Sequence, residues 1–215
     1  MSIKDIVLLR KCVYLYRYIR NRHSFNSGKG NRIINHGGIR IGSRVQIMGS
    51  GNRLIMEKGS RLINSLVRIQ GNCCTVTLKA GSYVSGAEIW VEDNHCEVCI
   101  GEKSFVGHHS HLACTEDGST LFIGDNCMIS SYVQIRTGDS HFIMDFDGNR
   151  INPAKSVKIG PHCWIGEGSK VLKGVELDGE DIVSTGAVVT KSFGRNIIIG
   201  GVPAKVIKEN VKCEL

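Results

Sequence analysis

Between residues 159 and 189, a large aliphatic residue recurs at every sixth position. The series is Ile159, Ile165, Val171, Leu177, Val183 and Val189. A period of six fits neither the 3.6-residue turn of an α-helix nor the two-residue alternation of a single strand. A small residue or valine follows most of these positions four residues later, at Cys163, Ser169, Val175 and Ala187. The pattern predicts an all-β fold, a parallel β-helix in which each six-residue unit supplies one short strand and one tight corner.

The same repeat extends towards the N-terminus with regular interruptions. The first aliphatic residues of successive coils are spaced by 22 or 23 residues instead of 18, at Met56, Leu78, Ile100 and Ile123. The extra residues include the turn-forming pairs Gly71-Asn72, Asp93-Asn94 and Asp117-Gly118. We therefore expect small loops along one edge of the solenoid.

At that edge, the interval from Ile123 to Ile159 is 36 residues, so the coil contains a long insertion, residues 137–156. Its sequence is polar and rich in Gly, Asp and Asn. Loops of this length inside a compact repeat array are usually functional. The insertion is therefore the first place to look for a site.

The composition suits a narrow core of stacked aliphatic side chains, since 41% of residues are hydrophobic and only 6% are aromatic. Cys127 and Cys163, two of the nine cysteines, fall in the small-residue register. The start does not resemble a signal peptide, so we expect reduced core cysteines in a cytoplasmic protein. His95, Cys96 and Cys99 would make only half of a zinc site, and no second pair follows. No bound metal is expected.

The domain organisation predicted from these patterns has two parts. Residues 1–31 form a basic amphipathic helix and a polar linker, and residues 32–215 form the β-helix with a C-terminal closing segment. The helix begins near Ser2 and places Ile6, Leu9, Val13 and Tyr16 at helical spacing. It is too charged to span a bilayer. It either caps the open end of the solenoid or lies on an anionic membrane surface, which would be the inner face of the membrane.

Positive charge is concentrated in the N-terminal part of the chain. Residues 1–61 contain thirteen Lys or Arg against two acidic residues, whereas the whole chain has a net charge of +7. An acidic partner is therefore expected, either an acidic glycan or an anionic membrane. Nucleic acid is not expected, because no recognition-helix, RNA-binding aromatic or zinc-finger pattern accompanies the charge.

Three further motifs resemble a known family. They are Gly138-Asp139-Ser140-His141, Cys163-Trp164-Ile165-Gly166, and Val188-Val189-Thr190-Lys191 followed by Gly201-Val202-Pro203-Ala204-Lys205. In this order they resemble the left-handed β-helix, hexapeptide-repeat acyltransferases, and most closely the bacterial O-acetyltransferases of capsular polysaccharides and sialic acids. The resemblance implies a left-handed coil, a homotrimer with sites between subunits, acetyl-CoA as co-substrate and a sugar acceptor.

The resemblance also implies roles for individual residues. His141 would be the general base, because an imidazole titrates near neutral pH and can accept the proton of a sugar hydroxyl. Asp139 or a backbone carbonyl would fix the tautomer of the histidine ring. Trp164 would form a wall of the active site and offer its indole N–H to a polar group, including the developing oxyanion. Acetyl-CoA would lie along the edge of the coils against six residues, Glu167, Thr185, Thr190, Lys191, Lys205 and Lys208.

Three alternatives stay open from the sequence. A γ-class carbonic anhydrase shares this kind of solenoid and binds zinc through histidines, of which this chain has His108, His109, His111, His141 and His162 among its eight. A solenoid without chemistry could serve as a binding scaffold. Within the acyltransferases, the acceptor could be serine or a nucleotide sugar.

Overall fold

The computed structural model describes residues 12, 13, 15, 16 and 24–214. The described residues near the N-terminus, Cys12, Val13, Leu15 and Tyr16, are helical, and the other positions of the predicted helix lie outside the described part. From residue 24 onward the chain consists of strands, turns and loops. The strands are β1 (Phe25–Ser27), β2 (Arg32–Asn35), β3 (Ile39–Ile41), β4 (Arg44–Met48), β5 (Arg53–Met56), β6 (Arg61–Ile63), β7 (Leu66–Gln70), β8 (Thr75–Leu78), β9 (Tyr83–Ser85), β10 (Glu88–Glu92), β11 (Glu97–Ile100), β12 (Phe105–Val106), β13 (His111–Cys114), β14 (Thr120–Ile123), β15 (Met128–Ile129), β16 (Gln134–Arg136), β17 (Val157–Ile159), β18 (Trp164–Ile165), β19 (Lys170–Val171), β20 (Glu176–Leu177), β21 (Ile182–Val183), β22 (Val188–Val189), β23 (Ile197–Gly201) and β24 (Ala204–Glu209).

Every third strand pairs in parallel, which gives three sheets around one core. Sheet 1 has the order β1-β4-β7-β10-β13-β16-β19-β22, sheet 2 has β2-β5-β8-β11-β14-β17-β20, and sheet 3 has β3-β6-β9-β12-β15-β18-β21-β23-β24. The chain passes from sheet 1 to sheet 2 to sheet 3 and back, so the solenoid has three lines of corners. We call them the 1–2, 2–3 and 3–1 corners after the sheets that they join. The predicted parallel β-helix is confirmed, and its left-handed sense stays a prediction.

The aliphatic register becomes a continuous column in the core. Strand pairing stacks six residues of sheet 2 one above another, namely Met56, Leu78, Ile100, Ile123, Ile159 and Leu177. All six are at most 1% exposed. Removing large aliphatic side chains from water contributes roughly 1.5–3 kcal/mol each. The repeat is therefore held both by this burial and by the backbone hydrogen bonds between neighbouring coils.

The interruptions of the repeat all lie at the 1–2 corner, as the sequence predicted. Consecutive loops there are joined by an amide ladder, in which the Asn72 backbone N–H donates to Asn94 Oδ1 at 3.0 Å and the Asn94 N–H donates to Asp117 Oδ1 at 2.8 Å. Residues 137–156 leave the solenoid at the same corner, between β16 and β17. The long loop thus extends a column of smaller loops.

Both ends of the described solenoid differ in detail from the prediction. Part of the expected linker belongs to the first coil, because β1 pairs with β4 in sheet 1. The expected final strand and tail form an antiparallel hairpin of β23 and β24 at the end of sheet 3. Among the described residues, no helix combines the length and the apolar character needed to cross a membrane.

The cysteines behave largely as core residues. All nine are unpaired, and Cys127 and Cys163 are buried at adjacent levels of the 2–3 corner, as predicted. The same corner position is occupied by Ser60, Ser82 and Ser104 in earlier coils and by Asp181 in a later one. The column therefore ends on a carboxyl group where the other coils have a small side chain.

Asp181 is fully buried, and its carboxylate accepts hydrogen bonds from the backbone N–H groups of Gly179 at 3.2 Å and Ile197 at 3.4 Å. Burial raises the pKa of Asp181 to about 6. A raised pKa means that the folded protein holds this proton more tightly than the unfolded chain does. Stability should therefore fall as pH rises from about 4 to about 6, the interval between the unfolded and folded pKa values.

We predict that Asp181→Asn removes this part of the pH dependence and stabilises the protein at pH 7 by on the order of 1 kcal/mol. Thermal unfolding followed by circular dichroism between pH 4 and 8 measures both effects. Asp147→Asn, which changes an exposed carboxylate of the long loop, is the control. If the melting temperatures of Asp181→Asn and of the wild type change with pH in parallel, the buried carboxyl does not contribute to the pH dependence of stability.

Candidate functional site

Asn152 organises the long loop from within. It is 6% exposed, and its Oδ1 accepts the backbone N–H of Ile143 at 2.7 Å. Its Nδ2 donates to the backbone oxygen of His141 at 2.8 Å and to Asp139 Oδ2 at 3.0 Å. One buried amide therefore ties the two arms of the loop together at the level of the histidine. Sequence analysis missed Asn152, because nothing in the linear pattern distinguishes it from the other polar loop residues.

Two ion pairs fasten the loop to the coils on either side. Lys173 Nζ lies 2.5 Å from Asp139 Oδ2. The Arg150 guanidinium binds both carboxylate oxygens of Glu116, at 2.7 and 2.5 Å. The hydrogen bond from Lys173 lowers the pKa of Asp139, and the hydrogen bond from Arg150 lowers the pKa of Glu116. Both carboxylates therefore stay ionised at neutral pH, and the two pairs form a loop clamp that loosens only in acid.

His141 lies on the exposed side of the clamped loop. The preceding residue, Ser140, has φ +68°, a left-handed conformation that costs a non-glycine residue energy and is often found at functional sites. Within the described part of the chain, neither ring nitrogen of His141 has a hydrogen-bond partner. The imidazole is thus presented to solvent from a fixed backbone, with both nitrogens available.

The structure gives Asp139 a different partner from the one the resemblance implied. Its carboxylate is engaged by Lys173 and Asn152, and its contact with His141 passes through the Asn152 side chain to the histidine backbone. In this structure Asp139 therefore positions the loop that carries His141, and the orientation of the imidazole ring is left to other groups.

Trp164 faces outward from sheet 3, as predicted, and is 39% exposed. Its indole N–H donates to Ser130 Oγ at 3.1 Å, so this donor already has a partner. Strand pairing places Trp164 in an outward row of sheet 3 that we call the apolar row. The members that follow one another in register are Tyr83, Phe105, Met128, Trp164, Ile182 and Ile198.

The residues expected to bind the cofactor surround the C-terminal end of this face. Glu167 and Thr185 are exposed at adjacent levels of the 3–1 corner. The backbone N–H of Gly186 donates there to the backbone carbonyl oxygen of Glu167 at 2.8 Å. The predicted stacking of these two positions is confirmed. Thr190 and Lys191 are exposed just after β22, and Lys205 and Lys208 are exposed on β24.

A single chain does not bring all of these residues together. His141 belongs to the loop of the 1–2 corner, whereas Trp164 lies on sheet 3 and Glu167 and Thr185 lie at the 3–1 corner. These are different sides of a three-sided solenoid. The sequence predicted the outward direction of Trp164 but could not tell which corner each of these residues occupies.

The residues considered for a metal are also dispersed. Cys96 is buried in the core, and Cys99 stands on the outer side of sheet 2. The histidines considered for a carbonic anhydrase are divided among the corners, with His108 and His109 at the 3–1 corner and His162 at the 2–3 corner. Across residues 24–214 and the four described helical residues, no three His, Cys, Asp or Glu side chains are grouped to hold one metal ion.

We predict that Lys173→Met opens the loop clamp without unfolding the solenoid. Asp139 would lose its charged partner, so residues 137–156 should be cut faster by a protease of broad specificity, by roughly an order of magnitude if local opening costs about 1.4 kcal/mol less. Limited proteolysis with mass spectrometry measures the cleavage rate. Lys170→Met, at an exposed position of sheet 1 in the same coil, is the control, and equal rates for both variants would contradict the clamp.

No protein-family model matches the sequence, whereas individual proteins and solved structures are similar to it. The polysialic acid O-acetyltransferase of Escherichia coli O1:K1 / APEC is 30% identical over 116 residues, which are 52% of this chain and 38% of that relative. The chain thus spans well under half the length of this curated relative.

Two crystal structures match almost the whole fold. The polySia-specific acetyltransferase NeuO has a TM-score of 0.82 and 29% identity, over 89% of this chain and 82% of that one. The polysialic acid O-acetyltransferase OatWY has a TM-score of 0.83 and 27% identity, over 89% of this chain and 91% of that one. The resemblance carried by the three motifs is therefore confirmed: the chain is related to the β-helix acyltransferases and lies close to the capsular polysaccharide O-acetyltransferases among them.

Proposed function

We propose that the protein is an acetyl-CoA-dependent O-acetyltransferase that acts on a sugar hydroxyl, with a capsular or other cell-surface polysaccharide as acceptor. One observation carries the proposal. His141 is exposed on a loop that is clamped at both sides, in a solenoid that superimposes on two polysialic acid acetyltransferases with TM-scores above 0.8.

In the proposed reaction His141 removes the proton of the sugar hydroxyl as the oxygen attacks the thioester carbonyl carbon. The carbon–sulfur bond then breaks, and the histidine returns the proton to the departing thiolate of CoA. The acetyl group passes directly to the sugar, so the enzyme forms no covalent intermediate. An imidazole with both nitrogens open to solvent suits this shuttle. One nitrogen can take the proton, while the N–H of the other donates a hydrogen bond to a group supplied by a neighbouring copy.

Trp164 has the role of a wall in this proposal. Its indole N–H is held by Ser130, so the face and edge of the ring are what it offers to the substrates. Acetyl-CoA would lie along the 3–1 corner beside Glu167 and Thr185. Its phosphates would approach Lys191, Lys205 and Lys208, all of which are exposed near the end of the solenoid.

The site would be completed between copies in a homotrimer. The tip of the long loop exposes five apolar side chains, at Phe142, Ile143, Met144, Phe146 and Ile151, and the apolar row exposes Met128 and Trp164 on another side of the chain. Two different exposed patches on one chain favour a heterologous contact, which closes into a ring when the rotation allows. Such a contact would place His141 of one copy beside Trp164 of the next.

The cellular location follows from the substrate. Acetyl-CoA is a cytoplasmic metabolite, so we place the enzyme in the cytoplasm, at the inner face of the membrane, with the N-terminal basic segment as its attachment.

His141→Ala should reduce acetyl transfer by roughly 10²- to 10⁴-fold, which is the usual contribution of a general base. The assay follows thiol release from acetyl-CoA with a panel of oligosaccharides and capsular polymers. His36→Ala, at an exposed histidine of the first coil, is the control. A His141→Ala variant that keeps more than about half of the wild-type rate would remove this residue from the mechanism.

Mixing two inactive variants tests the composite site. Protomers with His141→Ala and protomers with Lys191→Ala and Lys205→Ala should regain activity in mixed trimers, because some interfaces then pair two intact halves. Tagged co-purification verifies the mixtures, and light scattering measures the mass. A monomeric protein, or mixed trimers without recovered activity, would contradict a site shared between copies.

A further inference from the structure

Apart from the proposed catalytic residues, the structure contains a groove of about 430 Å³ at the N-terminal part of the 3–1 corner. Its floor consists of small buried residues of three successive coils, Ser65, Ala87 and Ser110. A volume of this size falls within the range of small-molecule binding sites. The groove crosses four coils, so it is about 14 Å long at 4.8 Å per coil.

The corner positions along the groove are Gly42, Asn64 and Gly86, and the glycine at 86 leaves room for the packed ring of His108. Gly42 and Gly86 turn the corner with φ +62°, and a Cβ at Gly86 would lie 2.3 Å from His108 Nδ1. One coil further on, the corner residue is His109, whose ring stacks on Tyr132 with a centroid distance of 4.9 Å. Two glycines and Asn64 therefore form the corner along the groove, and an aromatic stack lies at one end.

One wall of the groove is a row of sheet 1 with a definite order of chemical groups. Strand pairing places Arg44, Leu66, Glu88 and His111 at successive levels. Arg44 and Glu88 are two coils apart, about 10 Å, with the apolar Leu66 between them. The groove thus offers a cation at one end and hydrogen-bonding groups, Glu88, His109 and His111, at the other.

We propose that this groove binds an acidic sugar of the acceptor glycan, with the carboxylate on Arg44 and ring hydroxyls on Glu88 and His111. The arginine fork matches a carboxylate in two parallel hydrogen bonds. Glu88 accepts hydrogen bonds from hydroxyls and repels a second carboxylate, which fixes the direction of the glycan. This inference deepens the proposed function and rests on it for the location of the donor.

A glycan bound in this direction extends along the 3–1 corner towards the proposed acetyl-CoA site. Beyond His109 the 3–1 corner continues through Tyr132 to Gly168 and Gly186, the residues that follow Glu167 and Thr185. A glycan held with its hydroxyl-rich end at His111 therefore runs along the same corner as the proposed acetyl-CoA site. The groove acts as an acceptor subsite displaced from the reacting hydroxyl.

The surrounding basic residues do not single out this groove by charge alone. Arg40 is half-buried, in register with the core residue Leu62. The outward-facing arginines of the first coils are Arg61 on sheet 3, Arg44 and Arg68 on sheet 1, and Arg32 and Arg53 on sheet 2. They form a basic collar around all three faces. A collar attracts an anion from any side and raises its association rate, whereas a groove contact acts only through Arg44.

The test compares Arg44→Gln with Arg53→Gln, which removes one charge from the same coil on another face. Binding of an oligomer of sialic acid, and of its carboxyl-reduced neutral counterpart, is measured by calorimetry at physiological salt without acetyl-CoA. We expect Arg44→Gln to weaken binding of the acidic oligomer about tenfold, and that of the neutral one less than twofold. Arg53→Gln should leave both within twofold.

A second variant, Leu66→Trp, fills the groove without changing its charge and should abolish binding of both oligomers while the melting temperature stays near that of the wild type. If Arg44→Gln and Arg53→Gln weaken binding of the acidic oligomer equally, or if the wild type binds neither oligomer, the proposal of a glycan site in the groove is wrong. Binding with the expected pattern but without acetyl transfer would refute the proposed enzyme and leave the groove standing. If acetyl transfer by Leu66→Trp equals that of the wild type, the groove is refuted as an acceptor subsite and the proposed enzyme stands.

Discussion

The stacking of one coil on the next is the constraint from which the rest of the structure follows. Each coil places its aliphatic residues directly above those of the previous coil, and each strand hydrogen-bonds to strands about 4.8 Å away on either side. Ile123 and Ile159 pair in register although 36 residues separate them. An insertion is therefore tolerated only where the chain leaves the stack, at a corner, and must return to the same level.

This constraint explains how the long loop is anchored to the solenoid. A loop of twenty residues that left a single point of the fold would have few contacts to order it. Here the coils above and below supply Glu116 and Lys173 at the same corner, and each forms an ion pair with the loop. Asn152 then fixes the backbone of His141 from inside. The solenoid thus provides fixed anchor points on both sides of the proposed base.

Two corners and one sheet divide the proposed chemistry among three lines along the molecule. The loop corner carries the proposed base, the 3–1 corner carries the groove and the proposed donor residues, and sheet 3 presents the apolar row between corners. No single chain unites them, and this is why the proposed enzyme is an assembly. The N-terminal charge is divided in the same way: its arginines surround the solenoid as a basic collar, so local contacts and long-range attraction are separable by position.

The sequence by itself determined the periodic part of this protein. A six-residue spacing of Ile, Leu and Val determines the coil, because side chains at that spacing must stack, and a count of residues between repeats locates each insertion at one edge. The outward position of Trp164 follows from the same register, and the residue count locates the inserted loop that carries His141. Tertiary structure alone decided which groups meet across coils: the pairing of Lys173 with Asp139, 34 residues apart, the engagement of Trp164 by Ser130, the buried Asp181 beneath Cys163, and the groove between Arg44 and His111. These contacts join side chains whose separation depends on loop lengths and rotamers, which a repeating pattern does not encode.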